Sequence, residues 1–518
     1  MKKKKICISI TYIFLIILIL LSFSLEWCLD NFGNIGLDEI VFTLNMPLKG
    51  TAVDYYYSYF FDVIMPTVVL GIIGISIYAI VCWISKKRKI TFKVCFKKKS
   101  VNCSILPLVF HGKIWLAVII LWFGVLVNKA DNNFGFFEFV RNRVQASNFI
   151  EDEYIKPSNV NITFPQEKRN LICIYIESAE SSAQDIVNGG MLEENLIPEL
   201  TMIAKDNISF SQSELIEGAA VAPASGWTMA ALVAQTSGLP LKLYTYDDKV
   251  VDNSMKNYTS FLPGAESLGQ ILEKEGYTNF FMAGSDFTFG GRRDYFTQHG
   301  NYEIWDYITA VETGKINDEY KEGWGFEDQK LFEYAKEELL KLAQKDAPFN
   351  FSLLTVDTHT GGGYVCDLCP DIYEDDYYNV WRCESKQVYD FVEWIKQQDF
   401  YENTTIYIAG DHCSMEAGFL GEYKYDKYHG ATDRKVYNAF VNSAVDPIKM
   451  KNRKFTTLDL FPTVLASIGV EIEGDRLGLG TNLFSEKATL AEEYGYEIMF
   501  DELNKKSNFY DENILYPN

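Results

Sequence analysis

Thr404-Thr405-Ile406-Tyr407-Ile408-Ala409 is an apolar run rich in β-branched residues that ends in Gly410-Asp411-His412. A run of this kind reads as a buried strand. Open α/β sheets place ligands just beyond the carboxyl ends of their strands. An acid and an imidazole side by side at that point therefore read as half of a metal site.

Three more runs share the pattern. Asn170 to Ile176 leads into Glu177-Ser178-Ala179-Glu180, Asn350 to Val356 into Asp357-Thr358-His359, and Thr278 to Met282 into Ala283-Gly284-Ser285-Asp286. Helical patterns lie between them, as at Phe326 to Leu342 and Ser385 to Gln397. Alternating strands and helices predict an α/β fold with a mostly parallel central sheet and helices on both faces. The polar tips then share one edge. A single tip is equally well an ordinary strand-to-loop transition, but the set of Glu, Asp, His and Asp-His is not.

The 518 residues carry a net charge of -22, distributed unevenly. Lysine runs crowd the first hundred residues and the rest is acidic, which excludes the basic stripe of a nucleic-acid binder. Three apolar stretches, Ile6 to Leu25, Val63 to Trp83 and Ile105 to Val127, each approach the roughly 20 residues that cross a bilayer. The first is too long for the apolar part of a signal peptide and lacks a small-x-small cleavage site. Lys2 to Lys5, Lys86 to Lys89 and Lys97 to Lys99 flank these spans. The positive-inside rule puts them, and the N-terminus, in the cytoplasm. Everything beyond the third span then faces outward from the cell membrane.

The expected organisation is a membrane region at 1–128, a connector at 129–166, a catalytic domain at 167–485 and an acidic, peripheral tail at 486–518. Phe134 to Phe149 in the connector reads either as an amphipathic helix on the membrane or as a neck helix packed on the catalytic domain. Of the ten cysteines, Cys366, Cys369 and Cys383 cluster after the His359 strand. An oxidising exterior favours a disulfide among them over a zinc ribbon, which needs a second CxxC. Cys173 and Cys413 read as packed thiols.

The candidate nucleophile lies in Ser225-Gly226-Trp227-Thr228, ahead of an apolar helical stretch that stops at Gly238 and Pro240. Ser225 or Thr228 sits at the helix N-terminus, where free N–H groups and the helix dipole favour a phosphate. The same residues are also ordinary N-caps. A threonine hydroxyl needs a base or a metal to become a nucleophile, and the Glu177 and Asp411-His412 tips offer the metal.

In this order and spacing, Ile176-Glu177-Ser178, Gly226-Trp227-Thr228, Phe287 to Arg292, Trp324 to Asp328, Thr355 to His359 and Gly410-Asp411-His412 resemble the phosphoglycerol transferases, lipoteichoic acid synthases among them. That family forms part of the sulfatase-like branch of the alkaline phosphatase superfamily. The resemblance covers roughly Asn170 to Phe484 and the membrane anchor. It implies a three-layer alkaline-phosphatase-like sandwich. It also implies one divalent metal on Glu177, Thr228, Asp411 and His412, with manganese expected and magnesium or zinc as alternatives. Thr228 would be the nucleophile, and Arg292 and His359 would hold the substrate phosphate or glycerol. Oxygen-rich ligands with one imidazole suit such a metal.

The implied reaction moves glycerol phosphate from phosphatidylglycerol to a cell-envelope polymer or glycan. Phosphoethanolamine transfer and phosphodiester or sulfate hydrolysis are the alternatives, with a non-catalytic binding module behind them. The lipoteichoic acid synthases carry a histidine and a Trp-x-Arg in the donor pocket, whereas this chain reads Phe289-Gly290-Gly291-Arg292-Arg293, which with Gly226-Trp227-Thr228 resembles the glucan-modifying branch more. Either arginine can take that place. His299 and His429 read as structural or surface residues.

Overall fold

The computed structural model describes residues 2–32, 36–45, 49–87, 91–96, 99–104, 112–242, 260–416, 418–420 and 433–517. His429 lies outside them. The chain forms two compact units. One comprises Met1–Gly33 and Val53–Phe136; the other comprises Asn34–Ala52 and Phe137–Asn518.

The first unit holds three helices long and apolar enough to cross a membrane, Ile10–Asn31, Val53–Val81 and Ile114–Phe134. In the third, the helix is described from Gly112 onward, and 105–111 of the expected span lie outside the described residues; ahead of it, Lys99–Ser104 pairs as a strand with Thr91–Phe96. Polar contacts join the helices. Trp122 Nε1 donates to Ser22 Oγ over 3.1 Å and Trp27 Nε1 to Ser58 Oγ over 3.0 Å.

The second unit is built on a six-stranded sheet. Its strands are β1 (Asn170–Ile176), β2 (Thr278–Ala283), β3 (Glu303–Trp305), β4 (Phe349–Leu354), β5 (Thr404–Gly410) and β6 (Asn438–Val441). They lie in the order β3-β2-β4-β1-β5-β6, parallel except for the β5–β6 pair. The apolar runs do not alternate with polar residues because both faces are covered. Along β1, Leu171, Cys173 and Tyr175 enter one core, and Ile172, Ile174 and Ile176 enter the other. The helices Thr228–Ser237 and Leu460–Ser467 pack on the first face. The helices Asp328–Leu342 and Asp376–Ile395 pack on the second, giving three layers.

The helix expected from Ser385 begins nine residues earlier, where the Asp375 side chain caps Tyr377 N. In the connector, Phe136–Val144 is helical with no residue buried, and Phe149 and Ile150, in the short helix after it, enter the core of the catalytic unit. The stretch after Ser485 is not peripheral. Leu490, Met499, Phe500, Leu503 and Tyr510 are buried in the same core, so its acidic residues are the outer face of packed helices.

Candidate metal centre

Parallel strands bring their carboxyl ends to one edge, and the register makes this concrete. Ile176 at the end of β1 pairs with Gly410 at the end of β5, and Tyr175 with Leu354 at the end of β4. Glu177, Asp411 and His412 therefore emerge together, buried, with ligand atoms within 4.8 Å of one another. His412 Nε2 lies 3.4 Å from Glu177 Oε1 and 3.4 Å from Asp411 Oδ2.

Thr228 is the first residue of its helix. Trp227 stands at the N-cap without a side-chain capping bond, so the ordinary N-cap reading does not describe Thr228. Its Oγ1 lies 3.3 Å from Glu177 Oε2 and 3.4 Å from His412 Nε2. Ser225, the other candidate, is turned away: its Oγ donates to the Ala222 carbonyl over 2.7 Å and meets Thr457 Oγ1 at 3.0 Å.

The remaining bonds fix the orientation of these groups. Asp411 Oδ1 accepts from Ser178 N and His412 N, both at 2.8 Å. Asp411 Oδ2 is buried without a hydrogen-bond partner among the described residues. His412 Nδ1 lies 2.9 Å from the Cys413 carbonyl. A carbonyl only accepts, so Nδ1 carries the proton and Nε2 presents its lone pair. Burial, with Glu177 beside it, pushes the Asp411 carboxyl up to about 7. Burial opposes a charge on His412, but Asp411 and Glu177 outweigh it and raise its pKa. Crowded carboxylates, an orphaned oxygen and a free imidazole lone pair fit a divalent ion bound by oxygen and nitrogen donors.

Arg292 and Arg293 part company. Arg293 pairs with Asp306. Arg292 is buried, bonded to the Asp286 and Phe289 carbonyls, and its charge bears on both Glu177 and Asp411. Burial lowers its pKa to about 10, so it stays a cation near neutrality. An aromatic line runs from it toward His359. Arg292 lies over Phe289, Phe289 packs on Trp324, and Trp324 packs 4.7 Å from the His359 ring. Trp324 thus supplies an indole beside this site where the sequence motif has none. Burial lowers the pKa of His359, partly offset by Glu177. His299 is structural, with Nε2 2.6 Å from the Phe261 carbonyl. Burial drives the Cys413 thiol far up, keeping it protonated.

Two features were not read from the sequence. Glu180 is buried against Arg434 and accepts from Ser414 N over 3.1 Å, fixing the chain just past His412. The second is a helix, α1 (Leu37–Asn45), from the stretch between the first two spans. Its Phe42 is buried against Trp227, with ring centroids 5.5 Å apart. Its Glu39 faces the centre: burial, resisted by His412 and assisted by Glu177, lifts that carboxyl to about 8. A Cβ on nearby Gly50 would meet Phe289 and Asp286 at 3.1 and 3.4 Å, so this stretch also abuts the Arg292 loop.

A family model described as Sulfatase matches residues 169–470. Phosphoglycerol transferase I of Salmonella choleraesuis (strain SC-B67) is 25% identical over 467 residues, covering 88% of this chain and 54% of that protein. Phosphoglycerol transferase I of Xanthomonas campestris pv. campestris (strain B100) is 27% identical over 329 residues, covering 62% of this chain and 44% of that protein. The chain spans about half the length of these curated relatives. Among solved structures, the integral membrane protein lipooligosaccharide phosphoethanolamine transferase A from Neisseria meningitidis is 13% identical. It has a TM-score of 0.51 over 89% of this chain and 84% of its own, a likeness of fold. With the family match covering more than half of its residues, the chain belongs to the sulfatase family.

Proposed function

We propose that the chain is a membrane-anchored phosphoglycerol transferase that moves glycerol phosphate from phosphatidylglycerol to a hydroxyl of a cell-envelope polymer or glycan. The observation that carries this reading is Thr228 Oγ1, held at a helix N-terminus within 3.4 Å of both Glu177 and His412. The names of the curated relatives support the same reaction class.

Thr228 Oγ1 attacks the phosphorus of the donor. The bond from phosphorus to the diacylglycerol oxygen breaks, and diacylglycerol leaves with the proton. An acceptor hydroxyl then attacks the phosphothreonine, and Thr228 regains its hydrogen. Glu177, Thr228, Asp411 and His412 would hold one divalent ion, with manganese expected from the hard donor set. When bound, it supplies positive charge that lowers the alcohol pKa and neutralises the phosphoryl oxygens. The protein's own share is positioning and charge. Arg292 is a fixed cation beside the acidic ligands, and the N–H groups of the helix that begins at Thr228 point at an incoming anion. His359 stands at the other end of the aromatic line from Arg292.

The site faces outward in this reading. Asn34–Ala52 belongs to the same compact unit as the catalytic sheet, which supports reading the loop between spans one and two and the chain after span three as on one side of the bilayer. Three spans satisfy that parity, and the lysine runs place the side outside.

Full-length protein in detergent, given Mn²⁺ and headgroup-labelled phosphatidylglycerol, should release diacylglycerol and carry label on Thr228. Labelled phosphatidylethanolamine should not replace it. Absence of diacylglycerol release overturns the proposal.

A further inference from the structure

Cys366, Cys369 and Cys383 stand apart from the centre just described. The first two lie in the loop after β4 and the third on the helix Asp376–Ile395, which we call α2. The disulfide expected among them is not formed, and all three are free. Cys366 Sγ lies 3.7 Å from Cys369 Sγ and 3.6 Å from Cys383 Sγ. One sulfur within equal reach of two others does not pick a bonded partner. Thiolates around one tetrahedral ion, with metal–sulfur bonds of about 2.3 Å, stand roughly 3.8 Å apart. We infer that these three sulfurs form a second metal site, a thiolate site for a soft divalent cation of the zinc class, with its fourth position left to water or an outside ligand.

The surroundings favour thiolates. Cys366 N donates to Cys369 Sγ over 3.3 Å, and Gln387 Nε2, one turn on from Cys383, donates to Cys383 Sγ over 3.3 Å. Such N–H donors stabilise sulfur ligands that carry negative charge.

Softness sorts the two sites. Three sulfurs select zinc-class metals, whereas the Glu177, Thr228, Asp411 and His412 set suits manganese or magnesium. One chain can thus hold two different metals without exchange. The thiolate site would staple the loop after β4 to α2. That loop starts at Asp357 and His359 and contains Gly361, Gly362 and Gly363, all at positive φ. A cross-link at its far side restricts the same loop that presents His359.

The test uses full-length protein in detergent and is independent of transfer activity. Zn²⁺ loading should leave one zinc per chain after dialysis in Asp411→Asn, and none when Cys369→Ser is added to it. It should slow iodoacetamide labelling of Cys366, Cys369 and Cys383 by about ten-fold, since only free thiolate reacts. Co²⁺ in its place should give thiolate-to-cobalt charge-transfer absorption. Cys369→Ser and Cys383→Ser should abolish that absorption. Cys369 is partly exposed, so its variant serves if the buried Cys383 variant fails to fold. A disulfide among the three found by peptide mapping without reductant, or labelling unchanged by Zn²⁺, overturns the inference.

Discussion

A methyl group placed on Gly410 would lie 1.7 Å from the Ala179 carbonyl oxygen. This close approach is how β5 delivers Asp411 to the chain leaving β1. Asp411 N donates to the Ile176 carbonyl over 3.2 Å, and Ser178, held at φ +60, donates its N–H to Asp411 Oδ1. Gly410→Ala must push these backbones apart. It should cost about 4 kcal/mol or more, at the severe end for single substitutions, and lower metal content with it. Urea denaturation and metal analysis of the same preparation check both.

Thr228→Ala should remove phosphotransfer and label capture while leaving the fold intact. The Thr228 side chain does not cap its helix, so the loss of stability should stay within about 1 kcal/mol. Thr228→Ser keeps a hydroxyl on the same carbon and should retain measurable diacylglycerol release. Thermal melts beside single-turnover assays separate chemistry from stability.

Much of this centre is legible in the sequence, for a physical reason. Parallel strands covered on both faces must be continuous apolar runs, and each run ends abruptly where its polar tip leaves the sheet. Glu177, His359 and Asp411-His412 stand at such ends. Thr228 was legible with Ser225 as a rival, because a helix N-terminus looks the same whichever hydroxyl faces the ligand; the folded chain separates them by turning Ser225 to Ala222 and Thr457 and Thr228 to Glu177 and His412. Glu39 was not legible. It lies on a nine-residue helix between two apolar spans, and nothing local says that Phe42 will seat on Trp227 nearly two hundred residues later. The Glu180–Arg434 pair was hidden similarly, since two charges far apart in sequence read as solvated until the fold buries both.

Glu39→Gln should lower transfer by about ten-fold or more with metal content unchanged, as expected for an ionisable group near reacting atoms that is not a ligand. Glu39 and the Asp411–His412 pair share one field, so the loss should appear in kcat as well as KM. If kcat and KM both match wild type, α1 is only a cover. Steady-state kinetics with Mn²⁺ at saturation reads the difference.

Arg434→Met leaves Glu180 buried beside Ser414 without its partner. Breaking a buried ion pair from one side costs about 3–5 kcal/mol. The change should also loosen the chain after His412, because Arg434 bonds the Ser414 carbonyl at 2.9 Å as well. Hydrogen exchange at Cys413 to Glu416 should rise more than at β2. A variant that removes both charges, Glu180→Gln with Arg434→Met, should recover part of the stability.

Asp459 gives a pH dependence whose sign is set by its burial. Its turn holds Thr457, whose hydroxyl meets Ser225 ahead of Thr228. Burial pushes its carboxyl up to about 6, although N–H donors from Thr456 and Thr481 at 2.7 and 2.8 Å pull the other way. The ordinary value, kept in the unfolded chain, is 3.8. Between 3.8 and about 6 the folded state therefore binds more protons than the unfolded state. Stability from this group rises as pH falls through that window, and above about 6 the full cost of burying its charge is present. Relative to Asp459→Asn, whose amide does not titrate, wild type should gain stability as pH falls from 7 to 4.5. Paired urea titrations across that range should show the two curves converging or crossing on the acid side. A gap that widens against wild type on acidification would mean the carboxylate, not the acid, is the form the fold prefers.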